Sequence, residues 1–104
     1  MRSIDQIVRD LNLAGKEDYV GIWQIMSAVT HNFKLSNPAD VRRLTLDVVR
    51  GLLVSGARAV DLTPGGGCTP WQDQRPDAVV ARVNNGWDSL GREPDIGDIV
   101  WFDF

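Results

Sequence analysis

The stretch LTPGGGCTPW, Leu62 to Trp71, puts three consecutive glycines beside the sole cysteine and between two prolines. Such a run could cradle a phosphate, arm a thiol or turn the chain. A phosphate loop needs G-x-x-x-x-G-K-[ST], with the lysine reaching the phosphates. Here Gly65, Gly66 and Gly67 lead into Cys68, Thr69 and Pro70. The G-x-G-x-x-G spacing of a dinucleotide site is missing as well. The turn reading fits, because Pro64 sets φ and the glycines adopt positive φ at no steric cost. A reactive Cys68 would need a histidine, a cation or a helix N-terminus beside it to lower its pKa. The sole histidine, His31, lies far off in the chain, so the thiol reads as incidental or half-buried. One Cys and one His cannot supply a four-ligand zinc site. No metal and no cofactor is expected, and His31 reads as a residue at a helix end or in solvent.

Asp95, Asp98 and Asp103 crowd the last ten residues, with Asp61 on a neighbouring candidate strand. Paired carboxylates bind Mg²⁺ or share acid–base work. Asp95 and Asp98 flank Gly97, which is ordinary turn chemistry. Asp61 and Asp103 fall on the solvent side of their strands, and no His or Lys completes a mechanism. We therefore expect no catalytic residues and no enzyme.

The arginines form the other chemical cluster. Arg42, Arg43 and Arg50 share one helix and Arg58 follows it. Arg43 and Arg50 are seven apart and so lie on one face, which could meet phosphates or a protein partner. Asp47 sits at i+4 from Arg43 and at i−3 from Arg50, so intrahelical ion pairs are the competing reading. Of the four tryptophans, Trp23, Trp87 and Trp101 fall on apolar stripes and read as core. Trp71 lies in the loop, either as its anchor or as a contact residue at an interface.

These residues must be positioned by four helices and two strands. Ser3 and Gln6 have capping-box spacing, followed by Ile4, Ile7, Val8 and Leu11 at helical intervals, with Gly15 as a left-handed stop. A second helix is expected from about Glu17 to about His31, with Tyr19, Ile22, Trp23, Met26, Val29 and Phe33 on one face. Asn37 and Pro38 open a third, lined by Val41, Leu44, Thr45, Val48, Val49 and Leu52 and closed at Ser55-Gly56. Arg58 to Leu62 reads as a strand with Val60 and Leu62 inward. Pro76 and Asp77 open a fourth helix carrying Val79, Val80, Val83, Trp87 and Leu90, which Gly91 ends. The tail GDIVWFDF reads as a strand apolar on both faces, Ile99 and Trp101 on one, Val100, Phe102 and Phe104 on the other. Its second face needs a cover, either the fourth helix or a partner chain.

A chain of 104 residues, 43% hydrophobic, suits a single globular domain spanning 1–104. The formal net charge of −3 works against a strong sequence-independent grip on nucleic acid. No apolar run approaches the ~20 residues of a membrane helix. The charged start MRSIDQIVRD does not resemble a secretion signal. A cytoplasmic setting without disulfides is the expectation.

The segment VVRGLLVSGARAVDLT resembles the third helix and first wing strand of winged-helix domains. The tail WDSLGREPDIGDIVWF is similar to the end of a family of small, mostly uncharacterised bacterial proteins of actinobacterial type. Three helices followed by a strand already suggest an α+β fold with a winged-helix-like core of three helices and a two-stranded antiparallel wing that has the fourth helix inserted between its strands, and the winged-helix resemblance points the same way. A four-helix bundle with a small ribbon is the alternative fold. The function expected is a non-catalytic interaction or regulatory module, working as a homodimer or with a protein partner. The alternatives are a DNA-binding winged-helix regulator, with Arg42, Arg43, Arg50 and Arg58 on the contact face, and a small acidic immunity or antitoxin protein.

Overall fold

The computed structural model describes residues 3–104; Met1 and Arg2 of the charged N-terminal stretch lie outside the described residues. Helix α1 spans Ile4–Ala14. Its capping box forms as the spacing predicts: Gln6 N–H donates to Ser3 Oγ at 3.3 Å, and Ser3 N–H donates to Gln6 Oε1 at 2.9 Å. Gly15 ends the helix, but with φ −68° it is right-handed rather than left-handed. Its lack of a side chain matters for another reason: a Cβ there would sit 2.1 Å from the Phe104 ring.

The second helix starts later than its pattern suggests. Residues 16 and 17 continue α1 as a loose turn, and Val20–Gly21 leave as a short strand, β1. Helix α2 then spans Ile22–Phe33, with Gln24 Oε1 accepting from Gly21 N–H at 2.7 Å. Tyr19 is therefore not on a helical face. Left-handed Lys34, φ 53°, closes α2.

Helix α3 spans Pro38–Val54, and Asn37 Oδ1 accepts from Ala39 N–H at 2.8 Å. Val41, Thr45, Val48, Val49, Leu52 and Leu53 are its buried residues. Thr45 is fully buried, and its hydroxyl has no hydrogen-bond partner among the described residues.

Strand β2, Arg58–Leu62, forms where expected. Ala59 faces the helices, so Val60 and Leu62, both expected inward, share the opposite face; Val60 is still buried there, whereas Leu62, at the start of a hairpin, is 39% exposed. The glycine loop makes that hairpin: Thr63 N–H donates to Gly67 O at 2.9 Å and Gly66 sits at φ 88°. The returning strand β3, Cys68–Pro70, was not foreseen. Helix α4, Pro76–Leu90, ends at left-handed Gly91. Only Trp101–Asp103 of the tail is strand, β4. Ile99 adopts φ 60°, which breaks the extended backbone, so Ile99 does not alternate with Trp101 along one strand.

Among the described residues the result is α+β: four helices and one antiparallel sheet of four strands, in the order β1-β4-β2-β3. The two expected strands, β2 and β4, do pair, with Ala59 opposite Phe102. Val20, Ala59, Val100 and Phe102 join one core with residues of all four helices. Helix α4 does not shield the opposite face of the tail. It lies along α3 and contributes Val79, Val83 and Trp87 to the same core as Phe102. Among the described residues no helix is long and apolar enough to cross a membrane.

Candidate interaction surface

The position of α4 decides what the arginines can do. Arg42 reaches across to it: Nε donates to Asn84 Oδ1 at 2.9 Å, and Nη2 donates to Asn84 O at 2.8 Å and Asp88 Oδ1 at 2.7 Å. Its guanidinium also lies 5.3 Å from the Trp87 ring centre. Arg50 pairs with Asp77 in the first turn of α4. Arg58 donates to Asp103 across the β2–β4 register at 2.5 Å, which raises the arginine's pKa. Arg43 remains outward, 3.5 Å from Asp40 one turn back. The expected pairs with Asp47 do not form among the described residues, because α4 offers Arg50 a partner of its own. Two of the three α3 arginines are thus directed at α4 rather than at an open groove.

Trp71 is an anchor. It is 5% exposed, its indole N–H donates to Asp61 Oδ1 at 3.1 Å, and its backbone N–H donates to Ala59 O at 2.9 Å. Arg82 of α4 stacks on its ring at 3.7 Å and approaches Asp61 at 4.0 Å. Such a stack contributes about 0.5–1 kcal/mol or more as it loses water. A buried Trp71 is unavailable as an interface residue. Asp61 is exposed, but it lies on the same face of β2 as Ala59, the helix side rather than the expected solvent side, and holds both Trp71 and Arg82. Gln74 was missed by the sequence reading. Its side-chain amide behaves like a strand neighbour, accepting from Ala59 N–H at 2.9 Å and donating to Ala59 O and Trp71 O at 2.8 Å each.

The C-terminal aspartates do not converge on a reaction centre. Asp98 accepts from Arg92 at 2.7 Å and from Asp95 N–H at 2.8 Å, and these two contacts, Arg92 first, hold its carboxyl below the ordinary value. Asp103 is engaged by Arg58. His31 is exposed in the last turn of α2, away from half-buried Cys68 on β3. The neighbour of Cys68 is Tyr19, whose phenol is pushed up first by hydrogen bonding with that thiol and then by partial burial. Among the described residues no group of three or more His, Cys, Asp or Glu side chains is arranged to hold a metal ion.

What remains is the sheet's outer face. Alternation sends Val20, Phe102 and Ala59 toward the helices, and Gly21, Trp101 and Val60 to the other side. Trp101 stays partly exposed there, with Val60 buried in the sheet beside it. Trp23, from the first turn of α2, folds back beside it. A Cβ on Gly21 would lie 2.8 Å from Trp23 Nε1 and 3.2 Å from Trp101 Cζ3. Gly21 has φ −89°, so glycine is needed here for space, not for conformation. The two indoles close over bare backbone, and Trp23 Nε1 is buried without an acceptor among the described residues. The Arg58–Asp103 pair and Tyr19 border this aromatic patch on its polar side.

Fold and surface together define an α+β protein with a partly exposed indole pair on its sheet. Comparison with protein-family models, curated proteins and solved structures gives no match.

Proposed function

We propose that the chain is a non-catalytic interaction module of winged-helix-like architecture, which meets its protein partner through the outer sheet face. Three features support the winged-helix-like reading: α2 and α3 are consecutive and packed together, α3 feeds β2, and β2 pairs with β4 across the inserted hairpin and fourth helix. The observation that carries the interaction reading is the partly exposed Trp23–Trp101 pair, since tryptophans concentrate binding energy where they are desolvated by a partner.

The DNA-binding alternative loses support from the same geometry. Arg42 and Arg50 already hold carboxylates of α4. Helix α4 cannot swing aside cheaply, because Val79 and Val83 are fully buried and Trp87 is 7% exposed. Uncovering those three side chains costs on the order of 5 kcal/mol.

A photo-crosslinking residue placed at position 101, compared with one at position 43, tests the proposal in cells that express the protein. Protein adducts, including a second copy of this chain, are expected from position 101. DNA adducts from position 43, with none from 101, would refute it. Light scattering on the purified chain separates the homodimer from the heterologous partner.

A further inference from the structure

Trp23 also lines a cleft of about 480 Å³ between α2 and the α4–β4 connection. The opposing wall is Glu93, Pro94 and Asp95, while Met26, Ser27, Thr30 and His31 complete the α2 side. Among the described residues no lysine or arginine lines it. The nearest arginine in sequence, Arg92, is committed to Asp98 at 2.7 Å. Among the described residues the Glu93 carboxylate has no side-chain partner, and Asp95 accepts from the backbone of Ile96 at 2.7 Å. The cleft therefore combines an indole and a thioether with two acidic groups, Asp95 within electrostatic reach of Arg92, whose own hydrogen-bonded carboxylate is Asp98, and Glu93 without an ion-pair partner among the described residues.

We infer that this cleft receives a lysine or arginine side chain of a basic protein partner. The chemistry matches at each end: an aliphatic stem packs on Trp23 and Met26, and the cationic head lies between Glu93 and Asp95. A cation is attracted to the indole face as well as to the carboxylates. An anion or a nucleic-acid phosphate meets two like charges instead. Continuity supports the same occupant, because Trp23 touches Gly21 beside Trp101 and so joins the cleft to the aromatic patch. The inference rests on the interaction-module reading and deepens it by naming a basic partner.

The test is a ¹H–¹⁵N titration of the full chain at low salt with a capped Gly-Arg-Gly-Lys-Gly peptide. A peptide with Glu in place of Arg and Lys is the control. The Trp23 indole N–H and the amides of Thr30, His31 and Glu93 are expected to shift with the basic peptide alone. The exposed double variant Glu93→Gln/Asp95→Asn keeps the turn acceptor at 95 and should weaken binding roughly tenfold, from the loss of two surface charges. Trp23→Phe should weaken it without changing its salt dependence. No shift at millimolar peptide, equal shifts with the acidic peptide, or unchanged binding by the double variant would each overturn the inference. Cleft shifts together with an absence of adducts from position 101 would sink the outer-face reading alone. Adducts at 101 without cleft shifts would sink the basic-partner inference alone.

Discussion

Replacing Gln74 by alanine removes three hydrogen bonds that no other side chain can supply. Ala59 is fully buried, and its N–H points away from β4 toward the Gln74 amide. Without that acceptor the N–H is unsatisfied, which costs about 1–3 kcal/mol. Ala59 O keeps Trp71 N–H as a donor, but Trp71 O loses Gln74. Gln74 itself is only half-buried, so water recovers part of the loss. A net destabilisation of about 2 kcal/mol is expected, or roughly 10 °C in Tm for a domain of this size. Gln74→Glu makes the argument sharper. Its carboxylate can accept from Ala59 N–H but can donate to neither carbonyl, whereas the protonated acid can donate its one O–H to one of them. The folded pKa of that glutamate is thus raised above its unfolded value. Its deficit relative to the parent should be smallest below the ordinary glutamate pKa and grow as pH rises through the folded one. Urea unfolding of parent and both variants from pH 4 to pH 7 measures this. Parental stability in Gln74→Ala, or a pH-independent deficit in Gln74→Glu, would refute the reasoning.

Thr45→Val removes a buried hydroxyl without a partner while keeping shape, and should stabilise the fold by about 1 kcal/mol in thermal melts; a loss of stability would show that the hydroxyl is satisfied. Gly21→Ala should cost about 1–3 kcal/mol as its methyl wedges Trp23 from Trp101, with a red shift in tryptophan emission. Asp98→Asn should be less stable than the parent at pH 7. Because the folded Asp98 carboxyl titrates below its ordinary value, the stabilisation it provides is present above that value and disappears as pH falls through the lowered one, so the two proteins should converge in acid. Urea titrations at neutral and acid pH check this, and a gap that persists in strong acid would contradict the Arg92 pairing.

The elements with local punctuation were legible in the chain. Asn37-Pro38, Pro76 and Gly91 mark helix ends through capping and φ alone, and α3, α4 and β2 stand where those signals put them. Strands β1 and β3 were not legible. Two or three residues cannot display an alternation, and β3 hides its pairing inside a Gly-Pro-Thr run. The fate of the arginines was equally hidden, since Arg42 finds Asn84 and Asp88 more than forty residues away through the docking of α4. The Asp61–Trp71–Arg82 stack and the Gln74 bridge have the same non-local origin. The indole pair over Gly21 needed the knowledge that Gly21 is a strand residue rather than part of a helix.

A fixed α4 in the core is what turns Arg42 and Arg50 away from an open groove, and the proposed role of the outer sheet face depends on it. Native-state hydrogen exchange measures this directly. The amides of Val79, Val83 and Trp87 are expected to exchange through the same global opening as those of Val48 and Val49. Exchange of α4 at a much lower opening free energy, with α3 still protected, would make α4 a removable cover and contradict it.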